Sequence, residues 1–314
     1  MKRPDCDNKE LSLVQLCLVI YMKKTYFIVL LLVVSTMNAK VSKLEKEVLL
    51  ELFKNTHGEN WMNSWQLDQP MSTWHGVEIE NDHVIGLNLF NNKLIGQIPS
   101  SIGNLKYLKI LNLAFNQLHG QIPSEITGLQ KLKILRLGKN NLTGSIPDNI
   151  GDMMSLEVLD VYDNDLSGTL PSSIGKLINI RLFVLSNNAI EGEIPKSIGD
   201  LIQLEGLELA YNKINGQLPK SLGRLINLNR LILSENNLNG VVPEEVFALP
   251  KLRMLQLQNN NLGVDLEMEK SVKNSNFVLL DMGNKSLRFK NDDIQDFRID
   301  RQTRMADTKF EDVD

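Results

Sequence analysis

The side chains that could carry chemistry are few and poorly spaced for it. Four histidines, His57, His75, His83 and His119, are the imidazoles available to bind a metal or move a proton. Metal sites draw their ligands from recurring short intervals, and these four share none, so structural or solvated roles are expected and no metal. Acid–base work on a glycosidic bond needs two carboxylates held across a cleft. Glu244-Glu245 and Asp292-Asp293 are neighbours in sequence and read as solvated surface. The two thiols, Cys6 and Cys17, both precede Met22. The glycines follow a long period rather than the Gly-x-Gly-x-x-Gly rule of a phosphate loop, and no kinase-like segment is present. A non-enzymatic chain without a cofactor is the expectation.

The composition, 42% hydrophobic and 23% charged over 314 residues, is that of a folded protein. A formal charge of -4 argues against a nucleic-acid partner held through phosphates. Near the start, Lys23 and Lys24 precede an apolar run from Tyr26 to Val34 and small or polar residues ending at Ala39, the order of a signal peptide. The run is shorter than the ~20 apolar residues a spanning helix needs. Residues 1–39 are therefore read as leader and signal peptide, with Met22 the suspected start. The rival reading joins Leu11–Tyr21 to the second run as a retained membrane-associated segment. A secreted or cell-surface location follows in either case, and the exported part would hold no cysteine and a net charge of about -6.

Behind the leader, one pattern repeats every 24 residues from Val84. Proline recurs at 99, 123, 147, 171, 195, 219 and 243, and glycine at 96, 120, 144, 168, 192, 216 and 240. Asparagine recurs as Asn92, Asn116, Asn140, Asn164, Asn188, Asn212, Asn236 and Asn260. The alternation Leu111-x-Leu113 predicts a short strand with one buried face. Asn116 stands where that strand ends, and its amide can satisfy backbone groups which a turn leaves unpaired inside the structure. Gly120 suits a positive φ, and Pro123 pre-sets φ near -65°. A single unit cannot bury its leucines, but stacked units cover one another.

The string Leu-x-x-Leu-x-Leu-x-x-Asn-x-Leu-x-Gly-x-Ile-Pro resembles the plant-type leucine-rich repeat of receptor ectodomains and polygalacturonase-inhibiting proteins. The resemblance spans 84–262, about eight units, and implies an α/β solenoid, a horseshoe with a parallel sheet on its concave face. Residues 40–83 are expected to be a helical cap. There Ser42 to Glu45 read as a capping box, Leu44, Val48, Leu49, Leu52 and Phe53 as an apolar stripe closed by Gly58, and Trp61, Trp65 and Trp74 as its cover. Where plant relatives carry cap cysteines this chain has Ser72 and Ile79, which suggests a bacterial or other non-plant member. Residues 263–314 read as a degraded ninth unit, with Lys285 in the asparagine position, then a cap and tail.

Residues between and just after the paired leucines should line up on the outer face of the sheet. That row reads Asn88, Asn112, Arg136, Asp160, Val184, Glu208, Ile232 and Gln256, with Phe90, Phe115, Tyr162 and Tyr211 close behind. Mixed charged, aliphatic and aromatic side chains suit recognition. Phe115, Arg136, Asp160, Tyr162, Val184, Glu208, Tyr211 and Ile232 are the expected contacts of a protein or polysaccharide ligand. Inhibition of an extracellular polysaccharide-degrading enzyme, or ligand sensing in a surface receptor, are the alternatives. Asn141 and Asn284 head glycosylation acceptor triplets.

Overall fold

The structure, a computed structural model, describes residues 41–263 and 279–281. It opens with α1, Lys43–Asn55, capped by Ser42, whose hydroxyl accepts from the Glu45 N–H at 3.1 Å. The expected stripe is shifted by one position at its start: Leu44 is 53% exposed and Glu45 is buried instead. A carboxylate can take that place because it is hydrogen-bonded, accepting from the Val84 N–H at 3.2 Å and lying 3.2 Å from His83 Nδ1. Only half of the capping box therefore forms, since Glu45 turns to the first repeat rather than back to Ser42. Gly58 does not close the helix either. The left-handed residue is His57, φ 53°, while Gly58 leaves room for the Phe53 ring, which a Cβ there would meet at 2.1 Å.

The three tryptophans lie under α1 in a chain of ring contacts. Phe53 meets Trp61 at 5.3 Å, Trp61 meets Trp65 at 4.9 Å, and Trp65 stacks on Trp74 at 4.8 Å. Each indole N–H reaches a carbonyl, of Thr56, His75 and Gln66 respectively, so burial leaves no donor unpaired.

Beyond the cap, each coil has three sides. The first is a strand of the main sheet, in the order Val77–Glu80, His83–Asn88, Ile110–Asn112, Ile134–Arg136, Val158–Asp160, Leu182–Val184, Gly206–Glu208, Arg230–Ile232, Met254–Gln256 and Leu279–Asp281. The first pair is antiparallel and the rest parallel. Partners are offset by 24 residues up to Ile232↔Gln256, and the last pair, Met254↔Leu279, by 25. The rest of the expected ninth unit lies outside the described residues.

A second, eight-stranded parallel sheet was not anticipated. It runs through Ile95–Gly96, Gln117–Gln121, Asn141–Gly144, Asp165–Thr169, Ala189–Glu193, Lys213–Gln217, Asn237–Val241 and Asn261–Gly263. Its partners sit 22 residues apart, as in His119↔Asn141, so equivalent residues are staggered by two positions. Gly120 takes φ +79° within its strand. The third side is a 3₁₀ turn such as Ser124–Gly128, preceded by Pro123 at φ -64°. Leucines and isoleucines from all three sides fill the interior. Among the described residues no helix is long and apolar enough to cross a membrane.

The asparagines stitch coil to coil. Asn116 Oδ1 accepts from the N–H groups of Asn92 and Leu94 at 3.0 Å, and its Nδ2 donates to the carbonyls of Leu89 and Leu113 at 2.9 Å. Asn140 accepts from Leu118 N–H and donates to Leu113 and Leu137. The same donor pattern continues through Asn164, Asn188, Asn212, Asn236 and Asn260.

Asn140→Ala strands the buried Leu118 N–H and removes one of the two asparagine donors from each of the Leu113 and Leu137 carbonyls, so chemical denaturation is expected to show a loss of roughly 1–3 kcal/mol. Asn141→Ala, at the exposed neighbouring position, should stay within about 0.5 kcal/mol of wild type.

Candidate functional site

The outer face of the main sheet is set by the period-two alternation. Leu111 and Leu113 point inward, so residues 110, 112 and 114 and their equivalents in later coils point out. A sharp turn follows each strand. The residue before the ladder asparagine takes a left-handed backbone in every described coil, at φ 48–59° for Asn91, Phe115, Lys139, Asp163, Asn187, Tyr211, Glu235 and Asn259. Asparagine tolerates that region, whereas Phe115 and Tyr211 hold it at a cost on the order of 1 kcal/mol each. Two of the eight expected contacts are thus presented from strained turns.

The face is a packed layer rather than a row of projecting side chains. Asp160, Val184, Glu208, Ile232 and Tyr162 are buried, Arg136 and Phe115 are partly covered, and Tyr211 is 58% exposed. The row that the sequence places on the outer face is thus mostly covered, and at Tyr162 a glycine is the cause. Gly138 has no side chain, and the Tyr162 ring lies in the space, where a Cβ would meet its Cδ1 at 2.4 Å. Gly206 leaves a second gap, over which Leu182 and Arg230 lean from either side.

Leaning side chains collect into two groups. Toward the cap, Tyr162, Val184 and Ala114 form a buried cluster outside the leucine core, with Phe90, Phe115 and Leu182 packed against it. Phe90 and Phe115 are 5.0 Å apart and Phe115 and Tyr162 6.3 Å apart, both within range of favourable ring contact. Lys139 Nζ sits 5.4 Å from the Phe115 ring centre and 3.7 Å from Asp163. Arg136 borders this group. Burial pushes its guanidinium below the usual arginine range, which Asp160 opposes, and its buried Nη1 has no acceptor among the described residues. Farther along, Arg230 pairs with Glu208 at 3.3 Å, and Ile232 is the register partner of Glu208. Tyr211 belongs to neither group.

Reading the middle outward position and the aromatics just behind it left out Ala114, Leu182, Gly138, Gly206 and Arg230. Their signal was available: positions 110 and 114 face the same way as 112, and a glycine in such a row marks where a neighbour folds over. The described residues contain no cluster of three or more His, Cys, Asp or Glu that could hold a metal.

Family models for leucine-rich repeats match residues 85–169 (described as a leucine-rich repeat region), 179–201 and 202–262. Comparison with curated protein sequences gives no match. Among solved structures, the chain is similar to the ectodomain of the membrane receptor kinase GASSHO1/SCHENGEN3 of Arabidopsis thaliana in complex with CASPARIAN STRIP INTEGRITY FACTOR 2. That match has 30% identity and a TM-score of 0.71, over 76% of this chain and 29% of the other. It is also similar to the Arabidopsis receptor kinase HAESA in complex with the peptide hormone IDA and the co-receptor SERK1, at 37% identity and a TM-score of 0.55, over 59% and 32%. A leucine-rich-repeat protein of Leptospira interrogans matches at 37% identity with a TM-score of 0.53, over 62% and 47%. The chain therefore spans about a third of the length of the receptor-kinase chains it resembles.

Gly138→Val would drive the Tyr162 ring out of its place. Near-UV circular dichroism should change while the far-UV spectrum holds, with a stability loss of roughly 1–3 kcal/mol from overpacking.

Proposed function

We propose that this leucine-rich-repeat solenoid is a non-enzymatic recognition protein that holds an extended segment of a protein or peptide along the outer face of its main sheet. One observation carries the proposal: an aromatic and aliphatic cluster, Phe90, Phe115, Tyr162, Leu182 and Val184, gathered outside the leucine core. Burial of the core does not require it, since the leucines already fill the interior. Rigid rings lose little side-chain entropy on contact, and anchors of this kind dominate binding energies. Strain at Phe115 and Tyr211 also fits a functional face.

The similar structures add support, because two of them are of receptor kinases in complex with CASPARIAN STRIP INTEGRITY FACTOR 2 or with a peptide hormone. We read this chain as exported or displayed at a cell surface, on the signal-like order of residues 22–39 and on that resemblance. The cysteine-free cap and the likeness to the Leptospira protein favour a bacterial or other non-plant source.

Selection of a phage-displayed random-peptide library on the immobilised protein tests the proposal. Enriched peptides should bind Phe115→Ala/Tyr211→Ala at least about tenfold more weakly, a loss of ~1.4 kcal/mol. Absence of enrichment, binding to glycans alone, or peptides indifferent to both substitutions would overturn it.

A further inference from the structure

Four apolar side chains that the fold leaves uncovered stand one above another away from the sheet face. Met154, Ile178, Ile202 and Ile226 recur at the 24-residue interval and are 55, 53, 52 and 56% exposed. Each follows the residue that ends a 3₁₀ turn: Met153, Leu177, Leu201 and Leu225. Ile178, Ile202 and Ile226 share one local geometry, their N–H groups donating to the carbonyls of Lys176, Asp200 and Arg224 at 2.9–3.0 Å. Asn179 Nδ2 donates to the Met154 carbonyl at 2.8 Å and Asn227 Nδ2 to the Ile202 carbonyl at 2.9 Å, so neighbouring coils hold the stripe in step. With coils about 4.8 Å apart, the stripe is about 15 Å long. Equivalent positions in the flanking coils are Lys106, Gln130 and Pro250, so the two coils before it carry polar residues and the coil after it a proline. Single exposed aliphatics are ordinary, but a continuous set in register marks a contact surface.

Flanking charges select what covers it. Two residues before each stripe position stand Asp152, Lys176, Asp200 and Arg224, and three residues after stand Glu157, Arg181, Glu205 and Asn229. Signs alternate along the first row, and along the second as far as Glu205, with neighbouring coils pairing, Arg224 with Asp200 at 3.2 Å and Arg181 with Glu205 at 2.7 Å. An alternating row of even length complements itself when reversed. Consider a second copy related by a two-fold axis that crosses the stripe midway between Ile178 and Ile202. Ile178 then faces the partner's Ile202, and Met154 faces the partner's Ile226. Asp152 meets the partner's Arg224, Lys176 meets the partner's Asp200, and Arg181 meets the partner's Glu205. Every facing pair named is apolar or oppositely charged.

An axis running along the stripe gives the opposite outcome. The flanking rows then exchange, setting Asp152 against the partner's Glu157, Lys176 against the partner's Arg181 and Asp200 against the partner's Glu205. Like charges oppose like at all three, and a closed two-fold pair allows no slide along its axis to relieve them.

We propose that Met154, Ile178, Ile202 and Ile226 form the seam across which a second copy of this chain docks antiparallel. Four half-exposed side chains and their charged borders cover less than the ~800 Å² per partner of a standard interface, so the dimer is weak and reversible.

Sedimentation velocity of the full chain, from about micromolar to about millimolar concentration, should show a monomer–dimer equilibrium. Ile178→Asp/Ile202→Asp places carboxylates face to face at the axis and should raise the dissociation constant about tenfold or more, with an unchanged melting temperature. Lys176→Glu and Asp200→Lys should each weaken the dimer, and their combination should restore it. The N-terminal apolar segment is common to all variants, so differences among them report on the seam. A monomer throughout, an aspartate variant that still dimerises, or a charge swap that restores nothing would overturn the proposal. Should the aspartate variant fail to fold, the charge swap alone decides.

Discussion

A buried asparagine amide bridging two coils is the contact on which the remaining architecture depends. Each coil must turn sharply after its main-sheet strand, and that turn points backbone N–H and C=O groups into a leucine-filled interior where water cannot serve them. Asn116 illustrates the remedy, accepting from two N–H groups of the preceding coil and donating to carbonyls in both coils. The bond is local and inter-coil together, so it sets the turn and the stacking register at once. Asn92 extends the ladder into the cap, accepting from the Asn63 N–H at 2.7 Å. A solenoid started in this way has no exposed first coil.

The same turn shapes the outer surface. Its geometry demands a left-handed residue just before each asparagine, and the side chain there is displayed at the margin of the sheet. Phe115 and Tyr211 occupy that position although their backbone prefers otherwise, which separates the needs of the fold from those of the face. Between these margins the outward rows settle into a layer. Gly138 and Gly206 are as informative as the aromatics, because each absence of a side chain lets a large neighbour lie down. Tyr162 leaning across Gly138 joins Phe115 and Phe90 into one apolar surface instead of three separate rings.

Periodicity also gives the molecule two surfaces of different character. The sheet face varies from coil to coil, apolar toward the cap and carrying the Glu208–Arg230 pair farther along, as selective contact with a ligand requires. The stripe from Met154 to Ile226 is nearly uniform, as contact with another regular surface requires. Rigid coil spacing serves both, since it holds side chains in position before any partner arrives.

Much of this was legible in the residues. The 24-residue interval, the buried leucines, the asparagine role and the outward placement of Arg136, Asp160, Val184, Glu208 and Ile232 all follow from the fact that every coil faces the same burial problem and meets it with the same residue types. What the sequence could not determine was how outward side chains divide the space among themselves. Tyr162 is buried because residue 138, one coil away, is glycine; Glu45 displaces Leu44 because Val84 and His83, about forty positions on, supply its hydrogen bonds. The two-residue stagger of the second sheet likewise depends on how neighbouring coils settle against each other. A repeat encodes its inward half locally, where leucine and asparagine have one function each, whereas exposure on its outward half depends on which residue stands one coil away, and only the stacked structure brings those residues together.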